Sequence, residues 1–256
     1  MQRPNLLRRR LLEGRKAFGL WVHTAHPAVT EAMAAAGYDF LFLDNEHGPG
    51  SLKDTLIQLQ ILASGATSPV VRVPSNDPVY LKRVLDIGAS SIMIPMIETA
   101  EQAKAAVAAC RYPPHGSRGF GPWREIGLGT DLDAYGRTAH EELLIIGQIE
   151  TVTAVENIDA IAAVDGLDVL FIGPNDLSGS AGRFREFEHP DVTRLIERAF
   201  EGIRRAGKPA GIIPYGRQST IDLFRAGYAM VAASTDLSLL RAAAVSEVRT
   251  YREAFG

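Results

Sequence analysis

The chain has 256 residues, of which 46% are hydrophobic and 22% charged, with a formal net charge of −3. This balance excludes extended disorder, and the small net charge builds in no strong field for nucleic acid or an anionic membrane. The length suits one α/β barrel, and a single cysteine, Cys110, excludes an internal disulfide.

The segment Arg8-Arg9-Arg10-Leu11-Leu12-Glu13 is basic, but no apolar stretch of signal-peptide length precedes Glu13, Arg15 and Lys16. Residues 5–13 read as a short leading helix. No run approaches the ~18 apolar residues of a membrane span, and a cytoplasmic protein is expected. Continuous apolar runs then predict strands at Phe18–Val22, Phe40–Asp44, Val70–Val73, Ser91–Pro95, Leu143–Glu150, Val169–Gly173, Ala210–Ile213 and Met230–Ala233. Unbroken rather than alternating runs mark strands covered on both faces, as in a parallel sheet.

Helical patterns lie between them. Pro27–Ala36 starts on a proline and stops at Gly37, and Ser51–Ser64 has a serine cap and stops at Gly65. Asp77–Ile87 and Thr99–Cys110 carry Asp and Thr caps. Thr151–Ala163, Asp191–Ala206, Gly216–Ala226 and Asp236–Phe255 complete the set. Strict alternation predicts a (β/α)8 barrel. An open doubly wound sheet is the alternative, but the first strand is not followed by G-x-G-x-x-G. Residues 111–142 interrupt the pattern with a long loop rich in Gly and Pro, of the kind that carries function.

Chemistry in such barrels gathers at the C-terminal ends of strands. Those ends here carry Asp44-Asn45-Glu46-His47, Arg72, Gln148-Ile149-Glu150 and Gly173-Pro174-Asn175-Asp176. Glu150 and Asp176 form a candidate pair for a hard divalent ion, leaving octahedral positions for water and substrate. Helix capping is the competing reading for both. His47, three residues after Asp44, is a candidate general base whose imidazole that carboxylate can orient. Arg72 suits a carboxylate or a developing enolate, or an ion pair with Glu46 or Asp44. Backbone N–H groups around Asn175 and Asp176 can bind a substrate carboxylate. His23 and His26 read as loop histidines, and Trp21 as core or as a wall of the pocket. None of the five lysines falls at a strand's C-terminal end, which argues against an imine mechanism.

Taken together, these segments are recognisable. Asp44–Pro49, Val71-Arg72-Val73-Pro74, Leu85-Asp86-Ile87-Gly88-Ala89, Ile94–Ala100, Arg111–Gly119, Gln148-Ile149-Glu150 and Phe171–Ser178 resemble the class II pyruvate aldolases. That family includes 4-hydroxy-2-oxoheptanedioate and 2-dehydro-3-deoxyglucarate aldolases. The resemblance runs from about residue 15 to the end. It implies a (β/α)8 barrel of the phosphoenolpyruvate/pyruvate type. It also implies reversible cleavage of a 4-hydroxy-2-keto acid to pyruvate, or a close 2-keto acid, and an aldehyde.

By the same resemblance, Glu150 and Asp176 hold Mg²⁺, Mn²⁺ or Co²⁺, and Arg72 stabilises the enolate. Gly173, Pro174, Asn175 and Asp176 border the keto acid. His47 and Asp44 form the acid–base dyad, and Asp86 reaches the neighbouring subunit's site. The assembly it implies is a hexamer, a trimer of dimers exchanging C-terminal helices. The loop Gly119–Gly129 departs from the family pattern and leaves the aldehyde open. A CoA-ester lyase of the malyl type is the alternative enzyme, disfavoured by the segment Asp44–His47. A barrel that binds metabolites without catalysis is disfavoured by the full set of candidate residues.

Overall fold

A computed structural model describes residues 4–256. Eight parallel strands close into a barrel in the order β1 to β8. They are β1 (Ala17–Val22), β2 (Phe40–Asp44), β3 (Ser68–Arg72), β4 (Ser91–Ile94), β5 (Leu144–Ile149), β6 (Val169–Ile172), β7 (Ala210–Ile212) and β8 (Met230–Thr235). The (β/α)8 expectation holds, and every strand lies within a few residues of its predicted place.

Alternation along each strand sorts the side chains into two cores. Phe40, Phe42, Val70, Met93, Leu144, Ile146, Val169, Phe171 and Met230 pack together inside the barrel. Leu41, Leu43, Val71, Ile92, Ile145, Leu170 and Val231 face outward and meet the helices. The interior is filled rather than open, as barrel geometry requires. Its bulk is matched by glycine: a Cβ at Gly19 would sit 2.4 Å from the Phe40 ring, and one at Gly211 would sit 2.3 Å from Phe171. The leading helix α1 (Leu6–Leu12) sends Leu7 and Leu11 into the same interior core. It thus closes the end of the barrel away from the strands' C-termini.

The outer helices are α2 (Pro27–Ala35), α3 (Leu52–Leu62), α4 (Pro78–Asp86), α5 (Ala100–Cys110), α8 (Val152–Glu156), α9 (Ile158–Ala162), α11 (Pro190–Arg205), α12 (Thr220–Ala226) and α13 (Asp236–Phe255). The interruption at 111–142 holds two short helices, α6 (Trp123–Gly127) and α7 (Leu132–Thr138), and a 3₁₀ turn at Ala139–Glu142.

Two helical expectations are corrected, and one helix is added. The helix expected over Thr151–Ala163 is two pieces, because Asn157 leaves helical geometry and donates its side chain to the Glu98 carbonyl at 2.9 Å. The helix expected from Gly216 begins only at Thr220, where Ser219 and Asp222 build a capping box. A further helix, α10 (Pro174–Ser180), follows β6 directly. Proline suits its first turn, and Leu177 is buried. Among the described residues, no helix is long and apolar enough to cross a membrane.

Candidate active site

The alternation that fills the barrel also builds its C-terminal rim. Along β2 the inward positions Phe40 and Phe42 lead to Asp44, and along β3 Val70 leads to Arg72. Ile146 leads to Gln148 and Glu150, and Phe171 leads to Gly173. The polar residues are therefore the last inward-facing layer above an apolar plug. Burial follows: Asp44, Arg72, Gln148 and Glu150 are all at most 6% exposed.

Arg72 is locked in place. Its Nε and Nη2 donate to the two oxygens of Asp44 at 2.8 and 2.7 Å. Its Nη1 lies 2.9 Å from Glu46 Oε2. The guanidinium also stacks 4.3 Å above the Trp21 ring, which itself stacks on Phe42 at 4.1 Å. Trp21 is therefore core on one face and carries the Arg72 guanidinium on the other. A guanidinium has five N–H donors. Two of them are hydrogen-bonded to Asp44, and the others, with Nη1 beside Glu46, are the donors a ligand could meet.

Asp44 is tied on every side. Oδ1 also accepts the backbone N–H groups of Glu46 and His47 at 3.1 and 3.3 Å. Burial opposes its charge, but the contacts with His23 and Arg72 hold its carboxyl well below the usual range. It does not orient the His47 imidazole, as the sequence suggested. The ring nearest Asp44 is that of His23, with Nε2 at 3.2 Å from Oδ2. The His47 side chain is 64% exposed, and its nearest charged partner is Glu46 at 3.9 Å. The backbone of His47 is held while its ring stays free at the mouth.

Glu150 extends just beyond β5. Oε1 accepts the Met96 backbone N–H at 2.8 Å, and Oε2 accepts from Gln148 Nε2. Burial pushes its carboxyl up to about 7, and the negative charges of Glu46 and Asp176 add to the effect. Burial likewise raises Glu46. Gly173 is needed beside it, since a Cβ there would stand 2.9 Å from Glu150 Oε2. Gln148 Oε1 is buried without a partner. Met96 itself has a left-handed φ of 55°, a backbone outlier at the point that holds the carboxylate.

Asp176 stands in the first turn of α10. Pro174 has no N–H, and the N–H groups of Asn175 and Asp176 precede any intrahelical acceptor. They are open for an anionic group.

Asp86 is not brought to this rim. It ends α4, which runs from the rim toward the opposite end of the barrel, and pairs with Arg118 at 2.7 Å. Among the described residues, no three His, Cys, Asp or Glu side chains converge as a ready metal cage.

A closed parallel barrel with a buried arginine fork and an acidic rim defines an enzyme of the strand-end type. The chain belongs to the HpcH/HpaI aldolase/citrate lyase family, whose profile matches residues 17–243, and it is a carbon–carbon lyase of the aldolase kind. It is 41% identical to the hydroxypyruvate/pyruvate aldolase of Chromohalobacter salexigens, across 98% of this chain and 100% of that protein. Identity to the 4-hydroxy-2-oxovalerate aldolase of Novosphingobium aromaticivorans is 42%, across 99% and 97%. The crystal structure of a family protein from Burkholderia cenocepacia J2315 superposes with a TM-score of 0.90 at 35% identity, covering 97% of this chain and 99% of that one.

Proposed function

We propose that this protein is a divalent-metal-dependent aldolase. It reversibly cleaves a 4-hydroxy-2-keto acid into pyruvate, or a close 2-keto acid, and an aldehyde. The observation that carries this reading is the Arg72 fork, immobilised by Asp44, Glu46 and Trp21 in the same rim as Glu150 and Asp176. The relatives named as aldolases for hydroxypyruvate/pyruvate and 4-hydroxy-2-oxovalerate support the keto-acid class.

The residues fit a hard cation. Glu46, Glu150 and Asp176 gather negative charge that Arg72 alone does not balance, and this repulsion is felt at Glu150. Two carboxylates with open positions suit Mg²⁺, Mn²⁺ or Co²⁺ coordinated further by water and a chelating keto acid. Glu150 and Asp176 would hold the ion. When bound, it supplies a Lewis acid that favours negative charge on the keto oxygen.

The chain's own residues do the rest. The N–H donors of Arg72 that are not bonded to Asp44 stabilise the same oxygen as the enolate forms. The N–H groups of Asn175 and Asp176 bind the substrate carboxylate, with Gly173 and Pro174 bringing the chain close. His47, free at the mouth, moves the proton of the hydroxyl whose neighbouring C–C bond breaks.

Other parts of the reading concern the whole assembly. The enzyme works in the cytoplasm, a reading supported by its single, buried thiol. It forms a hexamer in which C-terminal helices are exchanged, supported by the exposed apolar residues of α13. The test is incubation of pyruvate with a panel of aldehydes, with and without Mg²⁺, read by product mass. Products that form equally after chelation would overturn the mechanism.

A further inference from the structure

His23 is a rim residue that the sequence left among ordinary loop histidines. It stands two residues beyond Trp21, so the alternation of β1 turns it toward the barrel interior. Its Nε2 lies 3.2 Å from Asp44 Oδ2. Both Asp44 oxygens accept from Arg72, so in this contact the N–H of His23 Nε2 is the donor.

The histidine is held from beneath. Its backbone N–H donates to Asp236 Oδ1 at 3.0 Å. The N–H and Oγ of Thr24 donate to Asp236 Oδ2 at 3.1 and 2.6 Å. Asp236 is 2% exposed. The loop after β2 closes against the same segment, since a Cβ at Gly48 would meet the Asp44 carbonyl oxygen at 2.2 Å and that of His23 at 3.2 Å. So much fixing is more than a surface loop needs. It points to a ring whose position matters.

What that ring touches decides its role. The Asp44 carboxylate is asymmetric in its ties: Oδ1 accepts from two backbone N–H groups and from Arg72 Nε, whereas among the described residues Oδ2 meets only Arg72 Nη2 and His23. Without His23, the carboxylate plane can pivot about Oδ1. Arg72, which is also drawn toward Glu46, follows that pivot. We propose that His23 is a positioning residue: through Asp44 it keeps the Arg72 fork aimed at the keto oxygen of the bound 2-keto acid. This rests on the enolate-stabilising role read for Arg72 above.

The experiment uses a half-reaction that needs no aldehyde. The full-length enzyme with Mg²⁺ is given pyruvate in D₂O, and exchange of the methyl protons is followed by NMR. Three variants are compared with the wild type. His23→Gln places an amide N–H about where Nε2 stands, His23→Asn is too short to reach Asp44, and His23→Phe has no donor. Removing an outer-shell partner of this kind costs on the order of tenfold. His23→Asn and His23→Phe should lose about that factor in kcat, with KM for pyruvate changed by less than about twofold. His23→Gln should recover most of it. If His23→Phe does not fold, the contrast between Asn and Gln carries the same test. Wild-type kcat in His23→Asn would overturn the proposal, and so would an equal loss in His23→Gln, which would assign the imidazole to proton transfer instead. No exchange by the wild type would overturn the aldolase reading and this inference together, whereas normal wild-type exchange with indifferent variants overturns this inference alone.

Discussion

Single residues at the rim carry charges in an order that burial alone would forbid. Arg72 is 6% exposed and paired with two acids, so its loss has a structural and a chemical side. Arg72→Lys keeps a charge but loses the planar fork, which is not conservative at a bidentate site. If its free donors act mainly on the enolate, kcat should fall on the order of 10²–10³, with KM for the keto acid changed less. A folded variant with near-normal kcat would remove Arg72 from the chemistry and leave it a purely structural ion pair.

Glu150 gives the matching pH argument. Burial holds its carboxyl at about 7 in the metal-free protein, against an ordinary value of 4.5. Between these values the native state keeps a proton that the unfolded chain has released. Stability of the metal-free protein should therefore fall as pH rises from 4.5 through about 7, and this contribution should then level off. The full difference is on the order of 3 kcal/mol. Adding Mg²⁺ should raise Tm more at about pH 8 than at about pH 5.5, since the ligand must be deprotonated to bind. Glu150→Gln should stabilise the metal-free protein at the higher pH and lose the metal-induced increment. Gln148, whose Oε1 has no partner now, can turn its amide to accept from the new side chain. A metal-free Tm that rises across this window, or an increment that survives Glu150→Gln, would show that Glu150 is not the buried acid that meets the ion.

At the scale of elements, the barrel interior explains both the fold and the site. Gly19 on β1 exists because Phe40 of β2 fills its side-chain space. Gly19→Ala should cost about 1–3 kcal/mol by overpacking. Phe40→Leu in the same chain should recover part of it, because residues in contact couple. Thermal melts of both single variants and the double variant measure this, and strict additivity would refute the contact.

The same periodicity shows why the strands were legible and parts of the site were not. Continuous runs such as Phe40–Asp44 announce a buried strand, and strand ends announce Arg72, Glu150 and Asp176. Which histidine meets Asp44 depends on how the loops after β1 and β2 close on each other. Sequence proximity favoured His47, three residues away, whereas the fold brings His23 across from the neighbouring strand. The clue was present in the parity of β1, where Trp21 and His23 share a face. The break at Asn157 and the helix at Pro174–Ser180 were hidden for a different reason. The break turns on one side-chain bond, and the short helix starts on a proline with no side-chain cap, so neither announces itself as an apolar stripe.

At the scale of the whole molecule, apolar surface stands uncovered. Helix α13 exposes Leu237, Leu240, Val245, Val248, Tyr251 and Phe255, each 49% exposed or more, and Asp236 is its one buried residue. Phe120, Trp123, Ile126 and Leu128 in the interrupting segment are also more than half exposed. Exposed apolar surface of this extent is what the proposed assembly would cover. Asp86 lies away from the rim of its own barrel, held by Arg118, so the catalytic part proposed for it requires another copy's site.

A hexamer should therefore be seen by light scattering at micromolar concentration. Replacing Leu240 and Val248 with arginine puts charge on the exposed stripe without touching the barrel, so the strands should keep their melting behaviour while the assembly dissociates. Activity should fall with the assembly if Asp86 works across the interface, and Asp86→Asn in the intact assembly should fall with it. Mixing that variant with an Arg72→Lys variant should then regenerate mixed sites carrying both native residues, and with them part of the lost rate. A dissociated double-arginine protein with full activity would refute a shared site, and a monomeric wild type would refute the assembly itself.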